Sequence, residues 1–382
     1  MSPSINKCKS SSPLLRFKIQ KLLLSNPLRF LLCAVLLCLP LVIVFTATTS
    51  TKNVTNRFIH NLPNNNTLQL TEYKEDEIEK ELLRVASNTN PNPSSTNPKK
   101  LAFMFLTTST LPFAPLWESF FKQAPKTHFT IYVHVDETSS IWKPHPFSVF
   151  HNRIIPSKPT ARNSPTLAAA ARRLLACALV DDPDNYIFIL LSASCIPLHS
   201  FRFTYHTLAN SNKSFIEMTP QDLGSFYRWV VRGAHVMLPE VRYEEFRTGS
   251  QFWSLTRKHA MLIVSDTRVW SKFKLPCLFY FLEICYPEES YFPTLMNMLD
   301  TKGCVHATLT YVDWTGSDGG HPRMFEKDEI GPQLISALRT ARPKYGEDDD
   351  GKRHDPFLFA RKFSSDSLQA LMAIADHVIF KD

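Results

Sequence analysis

The chain has 382 residues, which suits one large domain or two ordinary ones with extensions. Apolar residues make up 44% and charged residues 20%, the balance of a globular protein and not of a disordered chain. The 43 basic and 35 acidic residues give a net charge of +8, but residues 1–29 contain lysines and arginines and no acid. Because much of the excess is local, the charge does not indicate nucleic-acid binding.

Residues 30–49 form an uncharged apolar stretch, "FLLCAVLLCLPLVIVFTATT". A helix needs about 20 such residues to cross the hydrocarbon core of a bilayer. The basic flank is N-terminal, so the positive-inside rule keeps residues 1–29 in the cytosol. A cleaved signal peptide is the alternative, but it usually begins closer to the N-terminus and ends in small residues. We therefore expect an uncleaved signal anchor and a single-pass type II membrane protein.

Residues 50–98 are rich in Asn, Thr, Ser and Pro, a composition that buries little apolar surface and predicts a flexible lumenal stem. The segment "EYKEDEIEKELLRVAS" within it is compatible with a helix whose charged face is solvated. Five cysteines follow the apolar stretch: Cys177, Cys195, Cys277, Cys285 and Cys304. An oxidising lumen favours disulfides, but an odd number leaves at least one cysteine unpaired, and the spacings match no zinc site.

From residue 99 onwards the sequence alternates between strand and helix patterns. "KLAFMFLT", "HFTIYVHVD" and "YIFILLS" read as buried strands, and "LPFAPLWESFFKQA" and "SPTLAAAARRLLACAL" read as the helices between them. This alternation predicts a parallel α/β sheet, in which ligands bind at the carboxyl ends of the strands. Further on, "GSQFWSLTRKHAMLIVSD" predicts a strand leading into a helix, and "CYPEESYFPTLMNML" predicts a loop entering a helix. "LTYVDWTGSDGGHPRMF" predicts a strand followed by a Gly-rich turn.

The end of the third strand carries no acid. Ser192-Ala193-Ser194 follow "YIFILL", so this strand offers no carboxylate for a divalent cation. The triplet Asp182-Pro183-Asp184 resembles an Asp-x-Asp metal site as a string, but it precedes the strand and should lie at the opposite edge of the sheet. The chain contains neither G-x-G-x-x-G nor a P-loop. We expect no metal site and no phosphate cradle made of glycines.

Seven blocks occur in a characteristic order: "AFMFLTTSTLPFAPLWESFF", "YVHVD", "LLSASCIPL", "GSQFWSLTR", "CYPEESYFPT", "YVDWTGSDGGHPR" and "LFARKF". Together they resemble the plant branch of the core-2/I-branching N-acetylglucosaminyltransferase family, glycosyltransferase family 14, over roughly residues 99–381. The resemblance implies a GT-A-like α/β fold, with a Rossmann-type nucleotide-binding half joined to an acceptor-binding half. It also implies inverting transfer from a UDP-sugar without the usual metal site. Animal relatives use UDP-N-acetylglucosamine, and more distant ones use UDP-xylose or UDP-glucuronic acid.

The block "CYPEESYF" resembles the part of the family that holds the catalytic base, usually Asp-Glu-His. The match assigns the base to Glu289, with Glu288 in the Asp position and Ser290 in place of the His. Inverting transfer needs one such carboxylate to accept the proton of the attacking hydroxyl. Without the resemblance, both acids would be explained as residues favoured at a helix N-terminus by the macrodipole.

The resemblance also assigns donor-binding residues. "LFARKF" is similar to the block whose lysine contacts the diphosphate, which gives Lys362, while Arg361 is expected to be a surface neighbour. The family's partner arginine lies about 20 residues upstream, where Arg339 is the first match and Arg342 the alternative. Such cations would stabilise the departing UDP in place of a metal, so no cofactor is expected.

The strand end "IYVHVD" resembles the uridine-contacting segment of the family. It contributes Val133, His134 and Asp136, although a lone strand-end histidine can equally be a packed residue. Candidate acceptor contacts are Gly249, Ser250, Gln251, Asp313 and Trp314. Glycine permits close backbone approach, and an aromatic ring beside a carboxylate suits a sugar. Trp253 and Phe252 are further aromatic candidates for contact with the acceptor, and packing in the core is the alternative explanation for them.

The sequence thus predicts a metal-independent inverting glycosyltransferase, with residues 99–382 as a lumenal catalytic domain in the Golgi. It would move a sugar, N-acetylglucosamine first, from a UDP-sugar to a glycan or glycoprotein. The alternatives are a non-catalytic glycan-binding or scaffold protein of the same fold, and a transferase that uses UDP-xylose or UDP-glucuronic acid. A glycosidase would need two opposed carboxylates, whereas Glu288 and Glu289 are adjacent, and a G-x-S-x-G elbow is absent.

Overall fold

The computed structural model describes residues 71–91, 97–108, 110–136, 142–317, 321–344 and 355–382. The predicted cytosolic tail, the apolar stretch and most of the predicted stem lie outside these residues. Within them, no helix combines the length and apolarity that a membrane span requires. All described residues belong to one compact unit, Asn64–Asp382, which can be studied by itself.

The main sheet has six strands. They are β1 (Lys100–Thr107), β2 (Phe129–Val135), β3 (Asn185–Ser192), β5 (Ser214–Phe215), β6 (Ser254–Thr256) and β7 (Cys304–Val305). Their spatial order is β2-β1-β3-β6-β5-β7. β1 pairs in parallel with both β2 and β3, whereas β6 pairs antiparallel with β3. The near-continuous apolar runs of β1 and β3 are typical of strands that are buried on both faces.

A smaller sheet adjoins the first. Its strands are β4 (Ile196–Pro197), β8 (Thr310–Val312) and β9 (Phe359–Arg361), in the order β4-β9-β8. The helices are α1 (Glu77–Ser87), α2 (Ala114–Phe121), α3 (Thr166–Asp181), α4 (Phe201–Ala209), α5 (Leu223–Val230), α6 (Arg257–Ser265), α7 (Trp270–Phe273), α8 (Pro287–Asp300), α9 (Pro332–Thr340) and α10 (Leu368–Ile374).

The two faces of the main sheet are covered by different cores. Because successive side chains of a strand point to opposite faces, Phe103 and Phe105 of β1 face α2, where they meet Trp117 edge to face. Ala102 and Met104 face the other way, into the core that contains the buried alanines of α3. The predicted order of strand, helix, strand, helix, strand is therefore confirmed.

The N-terminal helix α1 belongs to this fold, although the sequence assigned it to the stem. Leu83 and Ala86 are buried in the α3 core. Glu79 is also buried, and its carboxylate pairs with Arg173 at 2.9 Å and with Lys158 at 2.6 Å. The expectation of a solvated charged face is wrong for this side of α1, and the folded unit begins upstream of residue 99.

Of the five cysteines that follow the apolar stretch, two form a disulfide and three are free. Cys277 and Cys285 form a disulfide, with their Cα atoms 6.1 Å apart. Cys177, Cys195 and Cys304 are free thiols. The disulfide closes a short loop immediately before α8, the helix that carries Glu288 and Glu289.

Candidate active site

Three parallel strands end at one edge of the main sheet. Asp136 follows β2, and its carboxylate accepts hydrogen bonds from the main-chain N–H of Thr160 at 2.7 Å and from its hydroxyl at 2.9 Å. Ser192 ends β3, and its Oγ lies 3.1 Å from that of Ser194. Polar groups therefore gather at the carboxyl edge, as the strand pattern predicted.

The Asp-x-Asp string lies at the other edge. The carboxylate of Asp182 pairs with Lys100, the first residue of β1, at 2.6 Å. Asp182 therefore stabilises the amino end of the sheet and is remote from the carboxyl ends of the strands. In the part of the chain that the structure describes, no three His, Cys, Asp or Glu side chains are grouped so that they could hold a metal ion.

Glu289 lies in the first turn of α8, which begins at Pro287. Proline suits this position because its missing N–H would have no helical partner, and the macrodipole favours an acid beside it. The Oε2 atom of Glu289 accepts a hydrogen bond from Arg228 Nη1 of α5 at 2.8 Å. Both side chains remain partly exposed, so α5 holds the carboxylate at a position that solvent can reach.

Glu288, the preceding residue, has a different environment. Its side chain is only 4% exposed, and its Oε2 atom has no hydrogen-bond partner. Burial, followed by the adjacent charge of Glu289, raises the pKa of Glu288 to about 8. Two neighbouring carboxyls therefore differ in role: Glu289 is solvent-accessible and paired with a cation, and Glu288 is buried and retains its proton at neutral pH.

Gly249 lies in the segment before β6 and bonds it to the first turn of α8. Its N–H donates to the carbonyl of Glu289 at 2.9 Å, and a Cβ atom at this position would lie 2.0 Å from the carbonyl oxygen of Glu217. Gly249 therefore permits a close approach between its own main chain and that of Glu217. The next residue, Ser250, donates its N–H to the carboxylate of Glu217.

Glu217 is a third carboxyl near Glu289 that the sequence did not single out. Burial and the charge of Glu289 raise its pKa. Lys344 lies within electrostatic reach of it. Gln251 is partly buried in the same segment. In the sequence, only Gly249, through the close backbone approach that a glycine permits, points to this junction.

Cations approach Glu289 from β9. Lys362 is partly buried, and burial together with Arg361 and Arg162 lowers its pKa. Arg361 places its guanidinium 4.5 Å from the centre of the Phe252 ring, and Glu289 lies within its electrostatic reach. The expectation that Arg361 is a surface neighbour is wrong, because the aromatic ring of Phe252 supports it inside the site.

Arg162 is a further cation that the sequence did not identify. It lies in the loop before α3, and its Nη2 atom donates to the hydroxyl of Tyr286 at 3.3 Å. Its Nη1 atom lies 2.8 Å from His321 Nδ1. Arg162 also lowers the pKa of both Arg361 and Lys362. It belongs to no motif and is distant in sequence from α8 and β9, so only the tertiary fold reveals it.

Arg339, predicted to contact the diphosphate, bonds to main-chain carbonyls in this structure. Its Nε atom donates to the carbonyl of Leu198 at 2.7 Å, and its Nη2 atom donates to that of Ile379 at 2.5 Å. Its guanidinium therefore anchors the C-terminal segment. The alternative, Arg342, is exposed and donates to the carbonyl of Arg339 at 2.7 Å. In this fold both side chains bond to main-chain carbonyls, and their assignment to the diphosphate stays a prediction.

Arg323 lies upstream of Lys362, on a segment whose main chain contacts that lysine. The N–H of Phe325 donates to the carbonyl of Lys362 at 2.8 Å, and the guanidinium of Arg323 lies 5.0 Å from the centre of the Phe325 ring. Arg323 forms an ion pair with Glu329 and lies 3.6 Å from Asp313.

The residues predicted to contact uridine are mostly internal. His134 is fully buried, and its Nε2 atom lies 3.1 Å from Arg173 Nη1. Burial and Arg173 lower the pKa of His134 to about 3, so the ring is neutral. Val133 is also fully buried and bonds through its main chain to Arg153 and Ile155. Of the three predicted residues, Asp136 alone lies beyond the end of the strand.

The predicted acceptor residues include one exposed ring. Trp314 is 55% exposed at the end of β8, and the carboxylate of Asp313 beside it accepts from the N–H of Thr315 at 2.9 Å. Trp253 is buried against Phe292, 5.2 Å between ring centres, and is a core residue. Residues 318–320 of the Gly-rich turn lie outside the described part of the chain.

A parallel-rich α/β sheet with polar residues along its carboxyl edge, and with a carboxylate held beside cations, fits the fold of a glycosyltransferase. The family model of the Core-2/I-Branching enzyme matches residues 101–339, so the chain belongs to this family. The chain is also 26% identical over 300 residues to Glycosyltransferase BC10 of Oryza sativa subsp. japonica. That similarity covers 69% of this chain and 74% of the rice protein. The chain is a glycosyltransferase.

Proposed function

We propose that this glycosyltransferase inverts the anomeric centre of a UDP-sugar and transfers the sugar to a hydroxyl of a glycan or glycoprotein in the Golgi lumen. N-acetylglucosamine is the donor sugar to test first, because of the branching-enzyme family. No divalent metal takes part. The uncharged stretch 30–49 with its basic flank would hold the enzyme in the membrane as a type II protein.

The observation that carries this proposal is the position of Glu289. A general base must be within reach of the acceptor hydroxyl and must be ionised to accept its proton. The ion pair with Arg228 at 2.8 Å fixes the orientation of the Glu289 carboxylate. Arg361, at the end of β9 in the smaller sheet, lies within electrostatic reach of Glu289, so the carboxylate has one arginine bonded to it and a second cation nearby.

The reaction then follows from these positions. Glu289 takes the proton of the acceptor hydroxyl while that oxygen forms a bond to the anomeric carbon. The bond from the anomeric carbon to the diphosphate oxygen breaks on the opposite face, and UDP leaves with the electron pair. Lys362 and Arg361 stabilise the negative charge on the diphosphate, with Arg162 beside them. A guanidinium binds phosphate oxygens in a planar fork.

The chemistry of the β3 edge supports metal independence. Ser192-Ala193-Ser194 offer hydroxyls where a carboxylate would be needed to hold a divalent cation tightly. Fixed cations near β9 can stabilise the same diphosphate charge without a metal.

The test uses residues 64–382, the compact unit, purified from a secretory host. The melting temperature is measured with UDP-N-acetylglucosamine, UDP-xylose and UDP-glucuronic acid, each with and without excess EDTA. A donor stabilises the folded state by binding to it, so one UDP-sugar should raise the melting temperature equally in both conditions. Stabilisation that EDTA abolishes would contradict the metal-free mechanism, and no response to any UDP-sugar would contradict the proposed donor class.

A further inference from the structure

The disulfide Cys277–Cys285 closes a loop, "CLFYFLEIC", that we name the aromatic loop. Four consecutive apolar side chains in it are exposed to solvent: Leu278, Phe279, Tyr280 and Phe281. Tyr280 is 81% exposed and Phe279 is 56% exposed. Contiguous exposed apolar residues of this kind usually mark a binding surface, because otherwise they only promote aggregation.

The four exposed side chains are not needed to hold the loop together. Leu282 and Ile284 point inwards and pack with Val231 and the two cysteines as a small separate core. The N–H of Leu278 donates to the carbonyl of Val231 at 2.9 Å. The disulfide and this inner packing give the loop a fixed shape, and they leave its outer face available.

The aromatic loop is continuous with the site of the base. Cys285 precedes Glu289 by only four residues, so their Cα atoms lie within about 15 Å of each other. The loop also packs at the end of α5, whose Arg228 binds Glu289 and lies 4.8 Å from the centre of the Tyr286 ring. The residue before Arg228 in α5, Tyr227, is also exposed. The donor cations reach Glu289 from β9 instead.

The amino-acid composition of the aromatic loop indicates which kind of partner its surface can bind. Sugar rings present apolar C–H faces that pack on aromatic rings, and the Tyr280 hydroxyl and the exposed Glu283 can bond to sugar hydroxyls. Segments that bind anionic membrane surfaces are rich in Lys and Arg. Residues 277–285 contain neither, and their one charge is the carboxylate of Glu283. A neutral oligosaccharide fits this surface better than an anionic bilayer does.

We propose that the aromatic loop binds the sugar units of the acceptor that adjoin the unit receiving the new bond, so that the enzyme selects an extended neutral oligosaccharide over a single sugar. This inference rests on the proposed transferase function. It adds a subsite that lies outside the reacting centre.

The test compares the double variant Phe279→Ala/Tyr280→Ala with the wild type and with Phe147→Ala. Phe147 is 93% exposed on a different segment, so this control removes an equally exposed ring elsewhere. Calorimetry measures the affinity of residues 64–382 for UDP and for β-linked galacto-, xylo- and gluco-oligosaccharides of increasing length.

For one series, wild-type affinity should rise with chain length. The double variant should lose that gain, with about tenfold weaker binding of the longest member, while UDP binding and the Phe147→Ala control stay unchanged. An unaltered length dependence in the double variant, or no length gain in the wild type, would overturn the proposal. So would a double variant whose only defect, in parallel vesicle co-sedimentation and light-scattering measurements, is lost vesicle binding or lost dimerisation. Failure of the wild type to bind UDP would instead count against the proposed function.

Discussion

The variant Glu288→Gln tests the buried carboxyl behind the base. In the unfolded chain this group titrates near 4.5, and in the folded protein burial and Glu289 raise its pKa to about 8. Between these values the unfolded state has lost the proton and the native state keeps it. The unfolded state therefore binds fewer protons, and stability falls as the pH rises.

The magnitude follows from the size of the shift. One pKa unit corresponds to about 1.4 kcal/mol, so the wild type should lose about 1.4 kcal/mol per pH unit from this group between pH 5 and pH 7.5. The loss ends as the pH passes 8. Glutamine has the shape of the protonated acid and does not titrate, so Glu288→Gln should be close to the wild type at pH 5 and more stable than it at pH 7.5, by about 3 kcal/mol.

Urea unfolding of residues 64–382 at several pH values measures this difference. Glu283→Gln serves as the control, since it removes the same charge from an exposed position of the aromatic loop. Its stability should run parallel to that of the wild type. Parallel profiles for Glu288→Gln and the wild type would refute the buried, protonated state of Glu288.

Four further substitutions test the residues around the site and the packing of the domain. Glu79→Gln leaves a buried arginine without its charged partner and should lower the free energy of unfolding by about 3 kcal/mol or more in urea titrations; a loss below 1 kcal/mol would place α1 outside the domain. Lys362→Ala should weaken UDP binding at least tenfold and UMP binding much less, whereas Arg339→Ala should leave both affinities unchanged in calorimetry. Weaker UDP binding by Arg339→Ala, with unchanged binding by Lys362→Ala, would instead assign Arg339 to the diphosphate. Gly249→Ala forces a Cβ atom to 2.0 Å from a carbonyl oxygen, so it should lower the melting temperature by at least several degrees.

Much of the sheet could be predicted because its strands are self-evident in the sequence. The apolar runs of β1 and β3 are long, they end at polar residues, and the intervening helices are amphipathic or Ala-rich. That pattern placed Ser192 at the carboxyl edge and Asp182 at the amino edge, as the Lys100 contact confirms. The first turn of α8 could be assigned because proline and two acids start a helix in a recognisable way.

The rest depended on tertiary contacts that no local pattern encodes. The lysines and glutamates of α1 resemble a solvated face, and only the opposing Arg173 makes Glu79 an internal residue. Arg228 and Arg162 come from segments far from α8 in sequence, so their convergence on Glu289 and Tyr286 could not be foreseen. Distance in sequence from Lys362 favours Arg339 as the diphosphate partner, but the packing of α9 against the C-terminal segment sets the direction of its side chain.

The variant Glu289→Gln decides whether Glu289 is the catalytic base. Glutamine keeps the size of the side chain and a carbonyl oxygen for Arg228, but it cannot accept the acceptor proton. With the donor identified by thermal stabilisation, sugar transfer by residues 64–382 is measured at saturating donor alongside UDP affinity. We expect turnover to fall by about 10²–10⁴-fold while UDP affinity stays within twofold of the wild type. Turnover retained near the wild-type rate with UDP still bound would contradict the assignment.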